Sequence, residues 1–123
     1  MNPQNNLDYL TAKHARQLID ALPNAKEAEN TITKTLGVLQ ENGVYACFLY
    51  LRANGKDTII NGMLDLLKTL DIGNPPETNA PQDVLKYIAD DITADLHRLL
   101  LAKEALEQML IYARYHAKAQ QKE

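Results

Sequence analysis

The sequence predicts an all-α protein, a single compact domain of five to six helices joined by short turns. Three observations carry that expectation. The 123 residues are 46% hydrophobic and 24% charged, enough apolar material for one core and too much for wholesale disorder. Glycine and proline cut the chain into stretches of helical length, at Pro23, Gly43, Gly55, Gly73 and the cluster Asn74 to Pro81. Within each stretch apolar residues recur every three or four positions, and no two stretches alternate as paired strands would.

The first element is expected over Leu7 to Leu22. Leu7, Leu10, His14, Leu18 and Leu22 share a stripe, Asn6 is placed to cap, and Pro23 ends the helix because it disfavours helical geometry in the residue before it. The second begins at Asn24 with Glu27 three residues on, the spacing of a capping box, and its apolar stripe is Ala25, Ala28, Ile32, Leu36 and Leu39. Gly43 is expected in the left-handed position that closes such a helix. Val44 to Arg52 is apolar on every side, so periodicity does not separate helix from strand. A lone strand would leave its backbone groups unpaired, so a buried central helix is expected, ended by Ala53-Asn54-Gly55.

A fourth helix is expected over Asp57 to Asp71, with Ile59, Ile60, Met63, Leu64, Leu66, Leu67 and Leu70 inward and Gly62 as a mild internal weakness. Two consecutive prolines stiffen the loop 73–80. Pro81 and Asp83 suit a helix start, Val84, Leu85, Ile88 and Ile92 face inward, and Asp90-Asp91 marks a corner. The last helix, roughly Thr93 to Gln120, turns Leu96, Leu99, Leu100, Leu106, Met109, Leu110 and Ala113 inward and Lys103, Glu107, Arg114 and Lys118 outward. The expected organisation is a flexible start over 1–6, one helical domain over 7–120, and a frayed end over 121–123.

Candidate chemistry is sparse. A single cysteine, Cys47, excludes an internal disulfide and a multi-cysteine zinc site, and its apolar neighbours make it a core thiol with a raised pKa. The three histidines lie far apart, and no His-Glu-x-x-His or Glu-x-x-His spacing occurs, so no metal site is assigned. Asp91 and Asp95 share a helix face, but acids at a helix start are accounted for by its dipole. Asn54-Gly55-Lys56-Asp57-Thr58 has too few glycines for a phosphate loop. No cofactor, small-molecule substrate or catalytic set is expected, and the chain reads as a binding or assembly module. The apolar run Val44 to Leu51 is too short to span a membrane, no signal peptide is visible, and a cytoplasmic protein is expected.

Thirteen bases against sixteen acids give a net charge of −3, which argues against a free-standing nucleic-acid binder. The charges are uneven. Residues 72–97 hold five acids and one base, whereas 98–123 hold five bases and three acids, so surfaces of opposite sign are available for pairing between copies.

A series of motifs in order resembles one family. Leu36-Gly37-Val38-Leu39-Gln40-Glu41-Asn42-Gly43 runs into the apolar Val44 to Leu49, a Gly-Lys turn follows at Gly55-Lys56, and a proline-bearing loop leads to Leu85-Lys86-Tyr87-Ile88. The chain closes with Lys103-Glu104-Ala105-Leu106 and the aromatic, basic helix Ile111 to Ala119. Over residues 7–120 this resembles the small subunit of the type III-B CRISPR effector, the Cmr complex. The closing helix of that family reads Trp-Leu-Lys-Arg before an aromatic residue; here Arg114 and Tyr115 match, and Ile111, Tyr112 and Ala113 stand in the remaining places.

The resemblance implies a helical subunit without catalytic activity, working in antiviral defence. Copies stack head to tail as a minor filament beside the backbone and large subunits, forming the groove where guide RNA pairs with target RNA. The cations able to face that RNA are Arg16, Arg52, Lys56, Arg98, Arg114 and Lys118, two or three of which are expected to touch phosphate. The alternatives are the small subunit of a type III-A effector, a helical protein–protein adaptor without RNA, and a helix-turn-helix DNA-binding regulator. The last is disfavoured because Asp57-Thr58 and Asp90-Asp91 would meet DNA phosphate. Without a sustained heptad seam, the isolated chain is expected to be a monomer or a weak oligomer.

Overall fold

A computed structural model describes residues 6–122, and every described element is helical. In order they are α1 (Leu7–Asp20), α2 (Ala25–Asn42), α3 (Val44–Ala53), α4 (Asp57–Thr69), α5 (Pro81–Tyr87) running on into a π-helical turn (Ile88–Ile92), and α6 (Leu96–Gln120). The all-α single-domain bundle expected from periodicity is therefore the observed fold. The expected flexible start falls on residues 1–5, outside the described residues, apart from Asn6.

The helix starts are made by the residues expected to make them. The Asn6 Oδ1 accepts from the backbone N–H of Asp8 at 2.9 Å, and the Asn24 Oδ1 from that of Glu27 at 2.9 Å. These side chains satisfy donors that no helical carbonyl reaches. Two threonines, Thr11 and Thr35, sit fully buried on apolar faces. Each returns its hydroxyl to the carbonyl four residues back, to Leu7 at 2.9 Å and to Thr31 at 2.8 Å, so neither leaves a polar group unpaired.

Gly43 joins two helices with one residue. Its N–H closes α2 on the Leu39 carbonyl at 3.0 Å, and its own carbonyl opens α3 by accepting from Cys47 at 3.1 Å. The left-handed closure expected here is corrected in one angle. The φ of 95° is positive, but ψ is −178°, an extended backbone region that essentially only glycine occupies. That ψ is what turns the chain straight into a new helix.

α3 corrects a second expectation. It is a helix, but it is buried on one face only: Val44, Cys47, Phe48 and Leu51 face the core, while Tyr45 and Leu49 are exposed. Gly62 in α4 is more than a weakness. A Cβ there would stand 3.1 Å from the Leu18 Cδ1, so the bare backbone lets α4 lie close against α1.

The proline loop is held to α5 and the π turn at several points. The Tyr87 hydroxyl, pushed up to about 12 chiefly by burial, donates to the Ile72 carbonyl at 2.6 Å. The Asn74 N–H donates to the Asp91 carboxylate at 3.0 Å, and the Thr78 hydroxyl to Asp83 at 2.7 Å. The corner expected at Asp90-Asp91 is the π turn itself, after which Asp95 caps α6 by accepting from the Arg98 N–H at 3.0 Å.

α6 is the spine. It packs chiefly against α1 and α2 and buries Ala102, Ala105, Leu106, Met109, Leu110, Ala113 and Ala117. The small residues permit close approach of its neighbours. α2 and α6 run antiparallel: Gln40 meets Glu107, and Glu29 meets Lys118. α6 ends at Gln120, and just beyond it the Gln121 amide donates to Glu29 at 2.9 Å; of the end expected to fray, residue 123 lies outside the described residues.

The start of α6 corrects a third expectation. Leu96 and Leu100 do not face inward; they are 70% and 57% exposed. The reason is the helix face: at 3.6 residues per turn both point away from Ala102, Ala105, Met109 and Ala113, the side that α6 buries, while their neighbours Leu99 and Leu101 pack against the core.

Candidate nucleic-acid interface

The six cations expected to face RNA do not form one patch. Arg52 and Lys56 come together at the corner between α3 and α4. Arg114 and Lys118 lie one turn apart near the end of α6. Arg16 stands exposed on α1, and Arg98 sits in the first turn of α6.

At the α3–α4 corner the local sequence explains the geometry. The Lys56 N–H returns to the Leu51 carbonyl at 2.9 Å around Gly55, which adopts a φ of 67°, and α4 starts at once. No side chain caps α4, so its first N–H groups have no side-chain acceptor. Arg52 pairs with Asp57 at 3.2 Å, but both side chains are about half exposed or more, at 47% and 64%. Such a pair contributes at most about 1 kcal/mol and yields readily to a phosphate. Lys56 is half-buried and lines a recess of about 150 Å³ between the α1–α2 turn and the start of α4.

The cations of α6 are engaged internally. Lys118 reaches Glu29 of α2 at 3.8 Å, and the Arg114 guanidinium lies over the Tyr115 ring, 5.5 Å from its centre. The Arg114 Nε is buried without a hydrogen-bond partner among the described residues, so this side chain packs its stem into the bundle and offers only its tip. Arg98 donates to the Asp91 carbonyl at 3.3 Å and thereby braces the π turn. Of the six, Arg16 and Lys56 make no ion pair among the described residues, and Arg52 makes a solvated one.

A second cleft went unnoticed in the sequence. Phe48, Ile60, Val84 and Leu85 floor a cavity of about 310 Å³ whose mouth carries Arg52, Asp57, Asn61 and Asn79. It exists because α3, α4 and the Asn79-Ala80-Pro81 turn converge, a contact between distant stretches that no local spacing marks.

The residues considered for chemistry have structural roles. Cys47 is buried, its thiol pushed up to about 12 by burial, and it donates weakly to the Thr35 carbonyl at 3.7 Å. His14 is buried beside α4, and burial lowers its pKa against the opposing charge of Asp65. Asp91 and Asp95 serve the loop and the α6 cap separately; backbone hydrogen bonds from Arg98 hold the Asp95 carboxyl below its ordinary range. Among the described residues no group of three or more His, Cys, Asp or Glu is placed to hold a metal ion, and no helix is long and apolar enough to cross a membrane.

Fold and surface together define a class: an all-α bundle whose cations are dispersed over several faces. No family model, curated protein or solved structure matches the chain.

Proposed function

We propose that the chain is a non-catalytic small subunit of a type III-B CRISPR effector, stacking beside the backbone and large subunits and lending cations to the groove where guide and target RNA pair. The observation that carries this reading is the Asn42-Gly43 junction. The motif that most marks the resemblance is also a one-residue joint between two helices, in a backbone state that needs glycine. The scattered cations support the reading as well. A subunit that forms one wall of a shared groove needs few phosphate contacts per copy, because the contacts of successive copies add along the strand. Sequence is then read by guide pairing.

Arg52 and Lys56 are the first candidates for phosphate, at an uncapped helix start that favours anions. Arg16 is the third, on a separate face. Arg114, Lys118 and Arg98 are secondary because each is held by a neighbouring group.

The test is a tagged pull-down from the native host, with mass spectrometry of the proteins and sequencing of the RNA. Recovery of type III-B backbone subunits with guide RNAs is expected. Type III-A backbone subunits in their place would transfer the chain to that effector. Recovery without guide RNA would replace the reading with that of a protein–protein adaptor. Within the recovered complex, Arg52→Glu with Lys56→Glu should weaken target-RNA retention more than Arg98→Glu does.

A further inference from the structure

We propose that the cleft between α3, α4 and the start of α5 binds a free apolar α-amino acid, its side chain on the floor and its two charges on the Arg52–Asp57 pair. This inference stands apart from the RNA reading and needs no nucleic acid.

The floor suits an apolar group. Phe48 of α3, Ile60 of α4 and Val84 of α5 are no more than 8% exposed, and Leu85 completes the surface. The packed core holds these side chains in place, so the cleft is formed before anything enters it. Its volume of about 310 Å³ lies at the lower end of the range for ligand pockets, roughly 300–1,000 Å³, so its occupant is small.

The mouth selects the occupant by charge. Arg52 and Asp57 stand together there, 3.2 Å apart and largely in solvent. A pair this exposed is weakly held, so each partner can exchange the other for a ligand charge. A free amino acid brings both charges on one carbon atom. Its carboxylate accepts from the Arg52 guanidinium, and its ammonium donates to the Asp57 carboxylate. Asn61 and Asn79 put neutral amides at the same mouth, able to donate to the one group and accept from the other. A plain carboxylate would satisfy Arg52 and be repelled by Asp57, and a plain amine would meet the reverse. A side chain of a protein partner would bring neutral peptide groups to the mouth and leave both charges unmatched.

The test is a titration of the isolated full chain, without RNA, followed by heteronuclear NMR. L-leucine should shift the backbone amides of the lining stretches 48–52, 57–61 and 79–85, with a dissociation constant on the order of a few millimolar. Glycine lacks the apolar group, isocaproate the ammonium and isoamylamine the carboxylate. Each should bind about tenfold more weakly or worse. Asp57→Asn should weaken leucine about threefold or more and leave isocaproate no weaker, which narrows the preference between them. Leu85→Trp should fill the cleft and abolish binding; if that variant does not fold, the ligand series on the parent chain decides alone. No shift with leucine up to about 50 mM, roughly ten times the expected constant, overturns the proposal. So does isocaproate binding as tightly as leucine, or shifts confined to other parts of the chain. N-acetyl-L-leucinamide binding as tightly as leucine also overturns it, and would assign the cleft to a side chain of a protein partner. Arg52 also stands among the phosphate candidates, but the titration contains no RNA and the pull-down no added amino acid, so the two readings fail separately.

Discussion

The two ends of α6 are finished in opposite ways. From Ala102 onward the helix lies between α1 and α2, with its inner face fully buried and its flanks tied to α2 by Glu107, Lys118 and Gln121 and to Asp8 of α1 by Gln108. At its start the same helix carries Leu96 and Leu100 into solvent, while Leu99 and Leu101 pack against the core. Composition does not distinguish the ends, since both are leucine-rich and amphipathic. The difference is one of helix face: Leu96 and Leu100 lie opposite Ala102, Ala105 and Met109, whereas Leu106 and Leu110 lie on the buried side. Whether a leucine belongs to the core is here decided by the face of α6 it occupies.

The sharpest way to break that comparison uses two leucines six residues apart. Leu106→Ala removes a fully buried side chain and should cost about 2–5 kcal/mol in urea unfolding, since a cavity adds to the lost burial. Leu100→Ala, on the outer face, should leave stability within about 0.5 kcal/mol in the same titration. Comparable costs would refute this division of α6 into an inner and an outer face.

Next in size is the joint between α2 and α3. Gly43→Ala should cost about 1–3 kcal/mol. A Cβ at Gly43 meets nothing within 4 Å, so the whole effect is backbone strain. Gly37 is the control: it lies inside α2, its Cβ position is also open, and Gly37→Ala should stabilise by about 0.5–1 kcal/mol. Opposite signs for two uncrowded glycines in neighbouring turns would isolate the joint.

Smaller effects separate the start of α6 from its end. The Asp95 carboxyl is held below its ordinary range, so its capping contribution is complete above that range and is lost as pH falls through the folded value. Thermal melts on going from neutral to acid pH should show part of this loss in the parent chain. Asp95→Asn should keep the cap and remove that part of the pH dependence, whereas Asp95→Ala should lower the melting temperature at neutral pH as well. At the far end Lys118→Ala should change stability by at most about 1 kcal/mol, because its pair with Glu29 is partly solvated.

Most of the fold was legible because it rests on local rules. Asn6, Asn24 and Pro81 begin helices where their chemistry says they should, and the apolar stripes of α2 and α4 are the observed core. What escaped was set by partners distant in sequence. Tyr45 and Leu49 look buried in a run of eight apolar residues, and only the placement of α3 shows that one side is open. Gly62 reads as a helix weakness until α1 is seen against it. The cations were legible as charges but not as free or engaged groups. Arg98, Arg114 and Lys118 look alike in sequence, yet the structure gives each a different neighbour. The corner cleft was invisible for the same reason, since its floor comes from three separate stretches.

Cys47 gives the molecule a built-in clock. It is the only cysteine, it is fully buried one turn past the Gly43 joint, and its thiol is too weakly acidic to react while covered. A thiol reagent therefore modifies the chain only in moments when α3 leaves the core. At low reagent the labelling rate reports the equilibrium population of the open state, and at high reagent it reaches a plateau equal to the opening rate itself. The parent chain can thus reveal, without an added probe, whether the one-residue joint opens on its own or only when the whole bundle unfolds.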